Sequence, residues 1–267
     1  MLPSRCLRWI FQKAERLLLR VLAVGPIPRH VAFVMDGNRR YARRSQQPVV
    51  QGHTDGFASL RRLLEACLRL RIQCVSVYAF AIDNFRRSPG EVEHLMNLAH
   101  EKLVEMAQHG EILEEYGVRL NVLGKTALLP EYVQESIRKA ESLTRNNNKA
   151  ILNICMPYAS QDEITTAVQS AVRKSLDEDY DSKTPPTITE SDISAHLMTT
   201  LAGSPPLEIL VRTSGVRRLS DFLLWQCSED TQIHFCNAYW PEFSLFDFVP
   251  ILLDYQRKMW SSGRKVS

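Results

Sequence analysis

The stretch HVAFVMDGNRRYARR, residues 30–44, turns abruptly from apolar to charged. Val31 to Met35 read as a buried strand that ends at Asp36. Gly37 and Asn38 follow, and then Arg39, Arg40, Arg43 and Arg44 crowd into six positions. Glycine lets the backbone turn closely, and exposed N–H groups at a helix start cradle phosphate. Arginine adds a forked donor matched to phosphate oxygens. A carboxylate alone repels a diphosphate, but one that holds Mg²⁺ recruits it. The plainer alternative is a surface turn with a salt bridge, and the tripeptide DGN by itself barely favours chemistry.

A second cluster, RTSGVRRLSDFLLWQ, spans residues 212–226. Arg212 ends another strand-like run, Gly215 permits a turn, and Arg218 and Ser220 precede what reads as an apolar helix. The alternative is a loop of solvated arginines leading into that helix. Two phosphate-type sites at strand ends suggest two phosphorylated substrates and a reaction between them. The seven histidines are scattered, and none stands at metal-ligand spacing from His53. By residue type alone His53 is an ordinary surface residue.

The elements that must position these clusters are legible as alternating strands and helices. Strand-like runs occupy 31–35, 75–80, 119–123, 150–155, 207–211 and 233–236. Between the first two, Thr54 is a plausible N-cap for a helix carrying Phe57, Leu60, Leu64, Cys67 and Leu68 on one face. A long helical pattern then runs from Pro89 to about Tyr116. Apolar strands separated by helices predict a mainly parallel sheet covered on both sides. Ligands in such folds bind beyond the carboxyl ends of the strands, so Asp36, 81–85, 157–162 and 212–220 should converge on one edge. The polar, acidic run SLDEDYDSKTPPT at 175–187 reads as a surface loop rather than a metal-binding box.

Apolar residues at 45 % and charged ones at 24 % mark an ordinary globular chain, and a net charge of +3 does not indicate a nucleic-acid binder. The six cysteines form no Cys-x-x-Cys pair and read as buried thiols, neither zinc ligands nor disulfides. No uninterrupted apolar run reaches the roughly 18 residues of a membrane span. Residues 1–25 instead read as an amphipathic helix, with Leu7, Trp9, Ile10, Phe11, Leu17, Leu18, Val21 and Leu22 against Arg5, Arg8, Lys13, Arg16 and Arg20. It either lies in a membrane interface or packs on protein.

With these residues in view, the chain resembles the cis-prenyltransferases, in their eukaryotic dehydrodolichyl diphosphate synthase branch and most closely its fungal members. The matching motifs are HVAFVMDGNRRYA (30–42), GHTDGF (52–57), VYAFAIDNF (77–85), LNICMPYASQDEI (152–164), RTSGVRRLSDFLLWQ (212–226) and YWPEF (239–243). The resemblance implies a single α/β domain, about residues 26–260, with a short tail at 261–267. Its fold would be a six-stranded, mostly parallel sheet flanked by helices with an apolar tunnel. It also implies repeated cis extension of an allylic diphosphate, such as farnesyl diphosphate, by isopentenyl diphosphate. The product would be dehydrodolichyl diphosphate, for dolichol synthesis and protein glycosylation. Carried over by position, Asp36 would manage Mg²⁺ and the diphosphates. Gly37, Asn38, Arg39 and Arg40 would grip the allylic diphosphate, with His53 beside them. Arg212, Arg218 and Ser220 would hold isopentenyl diphosphate, and Asn84 would assist proton loss near the condensing carbons.

Ala81 stands where the family usually has serine and Gln161 where it usually has arginine, which implies weakened activity or an altered metal response. The terminal SSGRKVS lacks the Arg-x-Gly tail of single-chain and accessory members. The resemblance therefore implies the catalytic half of a heteromer whose accessory subunit supplies that tail, with peripheral contact at the cytosolic face of the endoplasmic reticulum or at lipid droplets. Two rival readings are a non-catalytic binding subunit and a phosphatase using Asp36 as nucleophile. Intact DGNRR and RTSG sets oppose the first, and Asn38, where a second acid belongs, opposes the other.

Overall fold

Short runs rich in valine, isoleucine and leucine, bounded by turn residues, form six strands: β1 His30–Val34, β2 Cys74–Tyr78, β3 Val118–Leu123, β4 Ala150–Cys155, β5 Ile209–Arg212 and β6 Gln232–Phe235. They make one sheet in the order β3-β4-β2-β1-β5-β6, with every neighbouring pair parallel. The computed structural model describes residues 4–108, 111–178 and 187–262. Ten helices are named among them: α1 Ser4–Leu22, α2 Asn38–Arg44, α3 Val49–Arg69, α4 Pro89–Gln108, α5 Glu111–Glu115, α6 Glu131–Thr144, α7 Ser160–Glu178, α8 Glu190–Ala195, α9 Met198–Leu201 and α10 Leu245–Ser261. The single-domain α/β architecture is as expected.

Both faces of the central strands are covered, so β1 and β5 are buried at every position. The period of two along a strand sends Val31 and Phe33 to one apolar cluster and Ala32 and Val34 to the other. On the first face the Phe33 ring meets Trp240, Phe243 and Phe248 with centroids 5.9, 6.2 and 5.6 Å away. On the second, Tyr78 stacks on Phe222 at 4.4 Å, and Tyr158 meets both rings edge-on. At the edge, Ile233 and Phe235 of β6 are exposed.

A polar chain crosses this apolar sheet. His30 Nδ1 donates to the Pro205 carbonyl at 2.8 Å, which leaves Nε2 to accept from Ser76 Oγ at 2.8 Å. Asn153 Nδ2 donates to Ser76 Oγ at 3.0 Å, and Asn121 Nδ2 donates to Asn153 Oδ1 at 3.0 Å. Burial lowers the His30 pKa to about 4, so the ring is neutral at physiological pH.

Several expected boundaries move. Thr54 does not cap α3, which starts at Val49 behind Pro48; Thr54 instead bonds back to the Val50 carbonyl. The helix beginning at Pro89 is assigned only to Gln108, and the shorter α5 ends at Glu115. Residues 175–178 continue α7 instead of starting a loop, while 179–186 lie outside the described residues. The residues directly after Ser220 form no helix. Among the described residues no helix is long and apolar enough to cross a membrane, and cysteines 67, 74, 155, 227 and 236 are all free.

The C-terminal half of α1 packs on the domain through one face. Leu19 and Leu22 are buried in the core, and Gln256 Nε2 of α10 donates to the Leu22 carbonyl at 2.7 Å. Leu17, Val21 and Val24 face outward. The side chains of Leu7, Trp9, Ile10 and Phe11 lie outside the described residues.

Candidate active site

The carboxyl ends of neighbouring strands β1 and β5 bring both charged clusters together. Adjacent strands lie about 4.8 Å apart, so residues just past their ends are within side-chain reach. Asp36 Oδ2 accepts from Arg212 Nη2 at 2.8 Å, and Asp36 Oδ1 lies 3.4 Å from Arg40 Nη2. Asp36 and Arg212 were expected to converge on one edge, and they are in direct contact there.

Backbone geometry aims these groups. Asp36 N–H donates to Thr213 Oγ1 at 3.0 Å, and the Thr213 hydroxyl donates back to the Asp36 carbonyl at 2.7 Å. Gly37 adopts φ 107°, and a Cβ there would come 2.8 Å from the Tyr239 ring. Only glycine turns the chain at that point without strain. α2 then starts at Asn38, as predicted, and Arg40 reaches the Ser214 carbonyl at 3.2 Å while its guanidinium lies over the Tyr239 ring at 5.4 Å. Gly52, the first residue of the GHTDGF motif, allows α3 to press on α2, where a Cβ would come within 2.4 Å of the Asn38 carbonyl.

Arg212 is the centre of the second cluster. Its Nη1 donates to the Arg218 carbonyl at 2.7 Å and to Ser220 Oγ at 2.6 Å, so one buried guanidinium joins Asp36, Arg218 and Ser220. Arg212 is 4 % exposed and Asp36 30 %, so the carboxylate alone of this pair faces the cleft. Burial would raise the Asp36 pKa, but hydrogen bonds from Arg212 and Ser214 and the charges of Arg212 and Arg40 outweigh it and hold the acid ionised below its usual range.

His53 sits in α3 with Asn38 Nδ2 at 3.5 Å from Nδ1 and Glu91 Oε1 at 3.6 Å from Nε2. Burial first, then the charge of Arg87, lowers its pKa to about 4 despite Glu91, so it is a neutral imidazole. Asn38 Oδ1 and His53 Nε2 are buried without hydrogen-bond partners, as is Arg212 Nε. Orphaned buried polar atoms are rare in folded proteins, and these three cluster at one site.

Asn84 is placed differently from the others. It lies in a 3-10 turn, Ile82–Arg86, where its Oδ1 accepts from Arg87 Nη2 at 3.0 Å and from Ala81 N–H at 3.4 Å. Arg87, not Asn84, lines the cleft. Sequence reasoning missed Arg87, which stands beside the equally cationic but exposed Arg86.

Two cavities meet here. A charged cleft of about 420 Å³ is lined by Asp36, Gly37, Asn38, Arg39, Arg40, Arg43, Arg87 and Arg218. An apolar cavity of about 120 Å³ continues between the sheet, α3 and α4, lined by Phe57, Leu60, Phe80, Leu103, Met106 and Ile154 among others. Met35, Asn38 and His53 line both. The arrangement joins a cation-lined cleft to a hydrocarbon-lined cavity. No group of three or more acid, histidine or cysteine side chains is placed to hold a metal among the described residues. A cation binding here would have one protein carboxylate, Asp36, and would take its other oxygens from substrate and water, a pattern Mg²⁺ favours.

Comparison with known proteins agrees with this geometry. The family model described as putative undecaprenyl diphosphate synthase matches residues 34–263. A dehydrodolichyl diphosphate synthase complex subunit of Schizosaccharomyces pombe is 42% identical over 250 residues, covering 94% of this chain and 93% of the relative. The Homo sapiens dehydrodolichyl diphosphate synthase complex subunit is 42% identical over 245 residues, 91% of this chain and 71% of that one. Among solved structures, lavandulyl diphosphate synthase from Lavandula x intermedia, in complex with dimethylallyl diphosphate, superimposes with a TM-score of 0.78 at 28% identity, over 86% of this chain and 95% of that chain. A probable undecaprenyl diphosphate synthase from Campylobacter jejuni gives 0.68 at 25% identity, over 91% and 98%. On this family model and these relatives, the chain belongs to the cis-prenyltransferase family as an enzyme of that class.

Proposed function

We propose that the protein extends farnesyl diphosphate with successive isopentenyl diphosphates, giving a long-chain dehydrodolichyl diphosphate. The observation that carries this reading is the shared wall: one cleft suited to diphosphate and one cavity suited to a prenyl chain meet at Met35, Asn38 and His53. The C1–O bond of the allylic substrate breaks with its electron pair on the departing diphosphate. The double bond of isopentenyl diphosphate supplies the electrons of the new C–C bond, and a proton leaves its C2. The N–H groups that open α2, with Arg40 and Arg87, stabilise the charge that grows on the leaving group. Arg218 and Ser220, positioned by the buried Arg212, hold and orient the second diphosphate. Asn84 acts by fixing Arg87 rather than by taking the proton. The apolar cavity keeps water from the carbocation-like fragment and gains about 25 cal/mol per Å² of hydrocarbon buried.

Asp36 is the carboxylate that would hold Mg²⁺, which would neutralise diphosphate charge. The relatives are named as subunits of a complex, which supports a heteromer; in it this chain would be the catalytic member and a partner would supply an Arg-x-Gly tail. The outward Leu17, Val21 and Val24 beside Arg16 and Arg20 support peripheral contact with the endoplasmic reticulum or lipid-droplet surface.

The test is incubation of the purified chain with Mg²⁺, farnesyl diphosphate and radiolabelled isopentenyl diphosphate, with and without an accessory subunit, and sizing of the products. Labelled polyprenyl product is expected, and Asp36→Ala should lower incorporation by about 100-fold or more. No polyprenyl product under either condition would leave the non-catalytic subunit reading in its place.

A further inference from the structure

A second concave site is larger than the catalytic cleft. A groove of about 1050 Å³ lies at the opposite edge of the sheet, where Arg29 precedes β1 and Arg71 and Gln73 precede β2. The five residues of β1, at about 3.3 Å each, put about 16 Å between this edge and Asp36. Five arginines line the groove, Arg16, Arg20, Arg29, Arg69 and Arg71, and no acid does. Two of them are held by acids outside the lining: Arg29 by Glu208 at 3.3 Å and Arg69 by Glu65 at 2.5 Å. Among the described residues, Arg16, Arg20 and Arg71 have no salt-bridge partner. The rest of the wall is apolar, with Leu19, Ile27, Leu70 and Met259 at depth and Val24 and Trp260 exposed at the rim.

Arg71 is placed there at a cost. α3 ends in a Schellman turn, in which Ile72 N–H bonds the Cys67 carbonyl at 3.0 Å and Arg71 N–H the Leu68 carbonyl at 2.9 Å. The residue between helix and strand in that turn takes left-handed φ, here 63°, and is usually glycine. A side chain costs about 1 kcal/mol or more in that conformation. Strain kept at one position is a pointer to function when the side chain has somewhere to act, and this one lines an anion-ready groove.

We propose that this groove is a binding site for a phosphate group carried on an apolar body, with Arg20 and Arg71 as its principal donors and Trp260 against the apolar part. Arginine forks match phosphate oxygens, and the unpaired cations gain most from an anion. A bilayer lipid headgroup and a soluble phosphate share this chemistry.

Two arms separate them. In the first, full-length protein is floated with phosphatidylcholine vesicles containing or lacking phosphatidic acid. In the second, inorganic phosphate is titrated calorimetrically, and the wild-type minus Arg71→Gly difference isolates this groove from the catalytic cleft. Arg71→Gly relieves the backbone and should unfold no earlier than wild type, so lost binding is not lost folding. Arg71→Gly and Arg20→Gln should each weaken phosphatidic-acid-dependent flotation about fivefold if the ligand is a headgroup. If it is a soluble phosphate, the calorimetric difference appears while flotation is unchanged. Wild-type behaviour of both variants in both arms overturns the proposal. Neither readout needs turnover, so failure here is separate from failure of the prenyl-transfer reading.

Discussion

At the scale of single residues, the site turns on how much one guanidinium does. Arg212 bonds Asp36, the Arg218 carbonyl and Ser220 Oγ together, from a position almost wholly out of solvent. Lysine is a point charge and cannot reproduce that fork. Arg212→Lys should therefore lose hydrogen bonds to charged groups amounting to about 2 kcal/mol, or about 30-fold in kcat/KM for isopentenyl diphosphate. Single-condensation kinetics measure it. His53 allows a second expectation. Its pKa of about 4 keeps the ring neutral from pH 5 upward, so His53→Gln should change rate without removing any inflection from the pH–rate profile in that range. An inflection near pH 6.5 present only in wild type would show a titrating imidazole. Asp36, Arg40, Arg212, Arg218 and Ser220 were all readable from residue type, spacing and resemblance. Arg87 was not, because nothing in the local pattern distinguishes it from the exposed Arg86 beside it.

At the scale of elements, the strands were legible to within two residues at either end because β-branched runs bounded by turn residues are a local signal. The segment after Ser220 was not. Its apolar residues suggested a helix, yet Ser220, Asp221 and Leu223 have φ of 53°, 59° and 47°, which no helix allows. Phe222 and Leu223 are apolar because they fill the second core cluster, a tertiary cause that periodicity cannot express. The loop is held from outside. Asp221 Oδ1 accepts from Gln161 N–H at 3.0 Å, the Asp221 carbonyl accepts from Ser160 N–H at 2.8 Å, and the Tyr78 hydroxyl donates toward the Ser220 carbonyl at 3.3 Å. The start of α7 thus positions Ser220 and, through it, Arg212. Asp221→Ala should raise KM for isopentenyl diphosphate about fivefold and leave kcat within about twofold, since about 1 kcal/mol of positioning is lost and no donor to substrate is removed. Gln161 makes its contact to this loop through its backbone N–H, not its side chain. Thr54 failed as a cap for a simpler reason, since Pro48 starts the helix earlier and pre-sets its φ.

For the whole molecule, the buried polar chain through His30 ties acidity to stability. The unfolded histidine binds a proton near pH 6.5, whereas the folded one resists until about pH 4. Protons therefore favour the unfolded chain across that window, and stability is full above about pH 6.5 and falls as the pH drops toward 4. The loss is on the order of 3 kcal/mol from this residue, and His53 adds to it in the same direction. Urea midpoints at pH 7 and pH 4.5 should differ accordingly, and His30→Gln should shrink the difference while lowering the midpoint at pH 7. A midpoint insensitive to pH in wild type would show that the ring protonates in place. The pairing of Asp36 with Arg212 has a last consequence for biosynthesis. These partners are separated by 176 positions in the chain. A ribosome that has released β1 through β4 has made a carboxylate with no second cation and a sheet lacking one flank. Catalytic competence thus arrives late and all at once, when the final third of the polypeptide threads β5 beside β1, and a prematurely terminated chain is inert even though its first charged motif is whole.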